Sequence, residues 1–143
     1  MRSQQISIFL ENKAGRIAKV SSILASSKIN IRALSLADTT DFGVLRLIVD
    51  NTREAEKVLK DAGFTVGQTH VIAVEVEDKP GGLNRILDVL SQADINVEYM
   101  YAFVRQAGEN AIMIFRFDDT ERAIETLQKN NLRVIDSETL HSL

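Results

Sequence analysis

The feature that most constrains this chain is that it repeats itself. Displacing the sequence by 66 residues sets 6–31 against 72–97, and seven of the 26 positions are identical: Ile6/Ile72, Glu11/Glu77, Lys13/Lys79, Gly15/Gly81, Leu24/Leu90, Ile29/Ile95 and Asn30/Asn96. Average composition would give about one or two. Six further pairs exchange one aliphatic side chain for another, as in Ile8/Val74 and Val20/Ile86. The match resumes at a displacement of 68, where Asp50/Asp118, Thr52/Thr120, Ala55/Ala123, Leu59/Leu127 and Val66/Val134 agree. The second copy therefore holds two extra residues, placed near 106–110. The 143 residues divide into two copies, 1–69 and 70–143, with almost no linker. A unit of this size buries a modest fraction of its surface alone. The copies are expected to pack on each other or on another chain.

Each copy has the same periodicity. Residues 3–10 alternate apolar and polar, which predicts a strand. A turn follows over 11–15. Ile17, Val20, Ile23 and Leu24 then recur at helical spacing. Residues 29–36 and 44–49 predict two more strands. Asn51 or Thr52 can cap a second helix carrying Ala55, Val58 and Leu59, Gly63 suits its end, and 64–66 begins a short fourth strand. In the second copy the corresponding segments are 71–76, 83–90, 97–104, 111–117, 123–127 and 132–135. The order β-α-β-β-α-β, twice, predicts an α+β chain of two tandem ferredoxin-like units. Each would be an antiparallel four-stranded sheet with both helices on one face. The middle strands are apolar on both parities, with Val44 and Ile48 beside Leu45, Leu47 and Val49. The face away from the helices therefore also needs a cover. Tyr99, Tyr101 and Phe103 share one parity, which suits packing and leaves ring stacking on a ligand as the alternative.

Composition removes several kinds of chemistry. There is no Cys, and the two His, His70 and His141, are far apart in sequence, so no metal site or thiol nucleophile is expected. The formal net charge of −3, with no basic run, argues against nucleic acid. No apolar stretch is long enough for a membrane span, and the expected setting is the cytoplasm. No Ser-His-Asp set, P-loop or GxGxxG occurs, and nothing marks a cofactor site or a catalytic residue.

Two places could hold a ligand. The first is the turn before the first helix of each copy: Asn12, Lys13, Ala14, Gly15, Arg16 and Ile17, and then Asp78, Pro80, Gly81, Gly82 and Leu83. A helix start offers unpaired N–H groups to a carboxylate, and Gly lets a ligand approach the backbone. Asn12 or Asp78 could accept from an ammonium group. Carboxylate plus ammonium describes an amino acid, but the same residues also suit plain capping and turn formation. The second place is Asn30 and Asn96, each opening a strand. Asn there either adopts a left-handed turn or offers its carboxamide to a ligand. Asp50 and Asp118 look like helix-start residues.

The pattern Asp-x-Pro-Gly-x-Leu at 78–83, with Ile-Asn-Val at 95–97, resembles the ACT domain, a small regulatory module of amino-acid metabolism. Copy one fits with Gly15, Ile17 and Ile-Asn-Ile at 29–31, though Ala14 stands in the usual proline's place. The resemblance covers nearly the whole chain and extends to stand-alone tandem ACT proteins. It implies a non-catalytic sensor that binds a free amino acid between ACT units, a homodimer, and a metabolic enzyme as a further partner. The loop Asn of serine-binding members falls on Asn12 and on Asp78, and their strand Asn on Asn30 and Asn96, 18 residues on in both copies. Their His two residues before the loop Asn is replaced by Leu10 and Val76. Edge-to-edge pairing would join the 12–17 loop to Asn96 and the 78–83 loop to Asn30. The other reading kept open is an interaction module that docks on a separate enzyme.

Overall fold

The computed structural model describes residues 1–103 and 110–143. The predicted insertion thus lies, apart from Asn110, outside the described residues, as does Val104 of the strand predicted over 97–104. The elements are β1 (Ser3–Glu11), α1 (Arg16–Ser26), β2 (Ile31–Asp38), β3 (Phe42–Val49), α2 (Thr52–Asp61), β4 (Thr65–Val76), α3 (Gly82–Gln92), β5 (Val97–Ala102), β6 (Ala111–Phe117), α4 (Thr120–Lys129), β7 (Val134–Ile135) and α5 (Ser137–Ser142). They form two compact units. The first comprises Gln4–Thr69 with His141–Leu143, the second His70–Leu140 with Met1–Ser3.

In the first unit the strand order is β2-β3-β1-β4. β1 runs antiparallel to β3, with Ile6 opposite Leu47 and Ile8 opposite Leu45. Side chains alternate across a sheet, so this register gathers Ile6, Ile8, Leu10, Leu45, Leu47 and Val49 on one face. Val20 and Leu24 of α1 and Ala55 and Leu59 of α2 close over them as one apolar cluster. The second unit has the order β7-β4-β6-β5. Ile72 lies opposite Phe115 and Val74 opposite Met113, and Ile86, Leu90, Ala123 and Leu127 complete the cluster from α3 and α4. The Phe115 and Phe117 rings stack there at 5.4 Å. Both orders are those of the split βαβ arrangement. The opposite sheet faces are buried too, at Ala33 and Ile48 in one unit and at Ala73, Tyr101, Ile112 and Ile114 in the other.

The helix starts follow their sequences. Asn51 Oδ1 accepts from Glu54 N at 3.2 Å and Asp119 Oδ1 from Arg122 N at 3.2 Å, the usual N-cap geometry. Gly63 sits at φ +93 just past α2. Two features depart from the sequence reading. The strands predicted over 64–66 and 71–76 are parts of one strand, β4. Residues 137–142 form α5, capped by Asp136 Oδ1 accepting from Thr139 N at 2.8 Å, and six residues are too few to show a helical period. His141 on this helix is half-buried, its Nδ1 2.6 Å from the Val49 carbonyl.

Candidate functional site

The two turns before α1 and α3 are built alike. Lys13 N donates to Glu11 O at 2.9 Å and Lys79 N to Glu77 O at 2.9 Å. Gly15 at φ +88 and Gly81 at φ +89 then occupy the N-cap positions, and neither helix start has a side-chain cap. A left-handed backbone is open to glycine at little cost, which explains the identity at this position. Of the turn residues that suit capping, it is the glycine that takes the N-cap position in both copies. The first N–H of each helix turns back to the turn, Arg16 N to Lys13 O at 3.4 Å and Gly82 N to Lys79 O at 3.0 Å, and since a glycine offers no side-chain oxygen, the next N–H groups of the first turn keep their capacity for an acceptor.

Asn12 faces the other way. Its Nδ2 donates to the Thr39 and Thr40 carbonyls at 3.1 and 3.3 Å, and its N–H donates to Asp41 O at 2.8 Å. The side chain ties the turn to the β2–β3 hairpin, with Oδ1 on the opposite side of the amide. Arg16 donates to Glu11 Oε1 at 3.1 Å and Lys13 pairs with Glu11 Oε2 at 3.0 Å. The Lys13 hydrogen bond and charge, with Arg16, hold the Glu11 carboxyl below its usual range. Lys79, 2.8 Å from Glu77, does the same for that carboxylate.

Gly82 has a different constraint. A Cβ built there would lie 2.0 Å from the Glu77 carbonyl oxygen. The second glycine of the pair is therefore required by the close approach of α3 to the end of β4. Asp78 and Pro80 are exposed, and Leu83 packs partly against the apolar cluster.

Asn30 and Asn96 are also placed alike, by partners that the sequence did not reveal. Asn30 N donates to Asp50 Oδ1 at 3.0 Å and Asp50 N to Asn30 O at 3.1 Å. Asn96 N donates to Asp118 Oδ1 at 3.0 Å and Asp118 N to Asn96 O at 3.2 Å. Asp50 and Asp118 thus clamp the start of the neighbouring strand, and the residues after them cap the helices. The left-handed residues at these helix ends are Lys28 and Asp94, at φ 59 and 56, so neither Asn is there for its backbone angle. Both Asn are exposed.

Three clefts are lined by candidate residues, while Ala14, Gly15, Asn30, Asp78 and Leu83 line none of the three. Asn12, Lys13, Arg16 and Ile17 line a small one of about 60 Å³ with Leu36 and Asp38. Lys79, Pro80, Gly81 and Gly82 line one of about 400 Å³ with Arg85 and Arg133. Asn96 lines another of about 400 Å³ with Ser91, Asp94 and Asp118. Within the second unit the turn and the strand Asn therefore line different clefts. Among the described residues no group of three or more His, Asp or Glu is placed to hold a metal ion, and no helix is long and apolar enough to cross a membrane.

Comparison with known proteins fits this geometry. The family model described as the ACT domain pair matches residues 1–143. The chain belongs to the ACT domain pair family. A solved protein of Bacteroides thetaiotaomicron is 37% identical, with a TM-score of 0.94 over 100% of this chain and 98% of that one. The ligand-free regulatory subunit of aspartate kinase from Thermus thermophilus is 16% identical, with a TM-score of 0.64 over 88% of this chain and 91% of that one. Aspartokinase III of E. coli, solved with lysine and aspartate, is 19% identical, with a TM-score of 0.54 over 99% of this chain and 31% of that one. Among curated proteins none matches. The two ACT units of this chain are members of a regulatory, not a catalytic, class of domain.

Proposed function

We propose that this tandem ACT protein is a non-catalytic sensor that binds a free amino acid, with the ligand held by the turn of one ACT unit and completed by the strand Asn of another. The observation that carries the reading is the repeated pair: a helix that starts on a glycine with no side-chain cap, 15 residues before an Asn whose backbone is clamped and which is exposed. The open N–H groups suit a carboxylate. Asn12 Oδ1 or the Asp78 carboxylate suits an ammonium group. A site completed by a second unit also couples binding to assembly, because such a ligand prefers one state over the other.

Thermal unfolding against each of the twenty free amino acids tests this. A ligand at 100 times its Kd adds about 2.7 kcal/mol to the folded state, several degrees for a chain of this size. One amino acid or one chemical class raising Tm is the expected result. Asn96→Ala or Gly15→Val leaving that shift intact would overturn the site assignment. A second reading, a regulatory subunit docking on a separate enzyme, draws on Leu34 and Leu36, which are about half exposed on the edge strand β2. Its test is co-purification of a defined enzyme from the native cell without added amino acid, and a chain that purifies as a closed dimer with no enzyme bound counts against it.

A further inference from the structure

The duplication supplies an internal control for a cleft of the first unit that shares only Arg16 with the proposed amino-acid site. Each unit has a hollow where the end of its first strand, the first turn of its first helix and the start of its last strand meet. In the first unit it is about 300 Å³ and in the second about 400 Å³. Positions correspond across the displacements of 66 and 68, so the linings compare one to one. The second unit places Glu75, Asn110 and Leu132 where the first places Phe9, Phe42 and Phe64. Three of the six phenylalanines of the chain thus meet at one hollow, and the fold does not require them there.

Two of the three rings lie open. Phe9 is 54% and Phe42 63% exposed, an unfavourable use of large apolar side chains unless something covers them. Charged side chains line both hollows. In the second unit Arg133 pairs with Glu75 at 3.2 Å and Lys79 with Glu77 at 2.8 Å, and Arg85, the counterpart of Lys19, donates to the Asn130 carbonyl at 3.3 Å. In the first, Glu11 is already shared by Lys13 and Arg16. Lys19 Nζ stands 5.9 Å above the Phe64 ring and has no carboxylate partner among the described residues. The first hollow therefore combines aromatic walls with one uncompensated cation.

We propose that the Phe9–Phe42–Phe64 cleft of the first ACT unit binds a small aryl carboxylate, its ring between the phenylalanines and its carboxylate on Lys19 with Arg16 at the edge. Aromatic pairs favour offset or edge-to-face contact, and the carboxylate gains a charge-assisted bond. A volume of about 300 Å³ stands at the low end of ligand pockets, roughly 300–1,000 Å³, and suits one ring rather than a fused or extended ligand. The cleft shares only Arg16 with the proposed amino-acid site and does not depend on that site. Aromatic amino acids and simple aryl acids both carry the required chemistry.

Calorimetric titration of the intact protein with phenylacetate, phenylalanine, phenylacetamide and acetate tests the assignment. Phenylacetate is expected to bind, with phenylacetamide about tenfold weaker or worse and acetate not at all. Phenylalanine binding as well as phenylacetate would identify the amino acid as a source of the ligand. Phenylalanine binding lost in Asn96→Ala but kept in Phe9→Glu would place it at the other site and overturn the assignment for that ligand. Phe9→Glu and Phe42→Asn, which install the second unit's residues at exposed positions, should each weaken phenylacetate about tenfold or more without changing Tm. Lys19→Gln should weaken phenylacetate and leave phenylacetamide unchanged. Acetate binding as well as phenylacetate, or no binding of any aryl carboxylate up to about 10 mM, would overturn the proposal.

Discussion

Gly82 and Arg16 stand at the same place in the two ACT units and meet opposite demands. At Gly82 an added Cβ would lie 2.0 Å from the backbone oxygen of Glu77, whereas at Gly15 it would meet nothing within 4 Å and the φ of +88 is the constraint. The first copy accommodates the larger side chain with a looser turn, in which Arg16 N is 3.4 Å from Lys13 O, against 3.0 Å from Gly82 N to Lys79 O. Gly82→Ala should therefore destabilise by about 1–3 kcal/mol through overpacking against backbone. Gly15→Ala should lose about 1 kcal/mol from its left-handed angle alone. Urea unfolding of the two variants measures both. A neutral Gly82→Ala would mean that α3 is free to start further from β4.

Helix and strand starts carry the next set of consequences. Asn51→Ala and Asp119→Ala each remove a cap acceptor from a first-turn N–H and should cost about 1 kcal/mol, while Asp119→Asn should be close to neutral. Asp118→Ala removes the oxygen that accepts from Asn96 N and should lower stability by about 1 kcal/mol. If the strand Asn serves a ligand, it should also weaken that ligand without touching it. At this scale legibility was uneven. The cap of α2 could be narrowed to Asn51 or Thr52, because a residue just before a helical period has few other uses, and the structure selects Asn51. The clamp by Asp50 and Asp118 could not, since its partner lies 20 or 22 residues earlier and local pattern carries no sign of it. Which turn residue caps the first helix of each copy was not legible for a related reason. Asn, Asp and Gly all suit a helix start, and only the turn geometry shows Asn12 engaged with the β2–β3 hairpin.

The whole molecule was legible through its repetition. Identity at a fixed displacement, with aliphatic exchange at the core positions, predicts two units of one topology without recourse to tertiary contacts. It did not reveal the phenylalanine cleft, whose rings come from β1, β3 and the turn before β4 and share no local period. Charge gives a further prediction for the entire chain. Glu11, Glu56, Glu77 and Asp136 are all held below the usual carboxylate range, Glu11 and Glu77 by the lysine two residues on, Glu56 by Lys60 and Gln68, and Asp136 by the Thr139 N–H. A carboxyl with a lower pKa in the folded state adds stability above its unfolded value and loses it as pH falls through the folded one. The urea midpoint should therefore be highest above about pH 5 and fall steadily toward about pH 3. Glu11, Glu77 and Asp136 are exposed and Glu56 is half-buried, so the lysine-paired contributions should shrink in about 1 M salt, those of Glu11 and Glu77 most. The Asp136 contribution rests on a direct hydrogen bond to a backbone N–H and should persist. Midpoints measured across that pH range at low and high salt separate the two, and Asp136→Ala should remove the salt-resistant part. A midpoint that stays flat down to about pH 3 would mean that these carboxylates are equally well solvated in the unfolded chain.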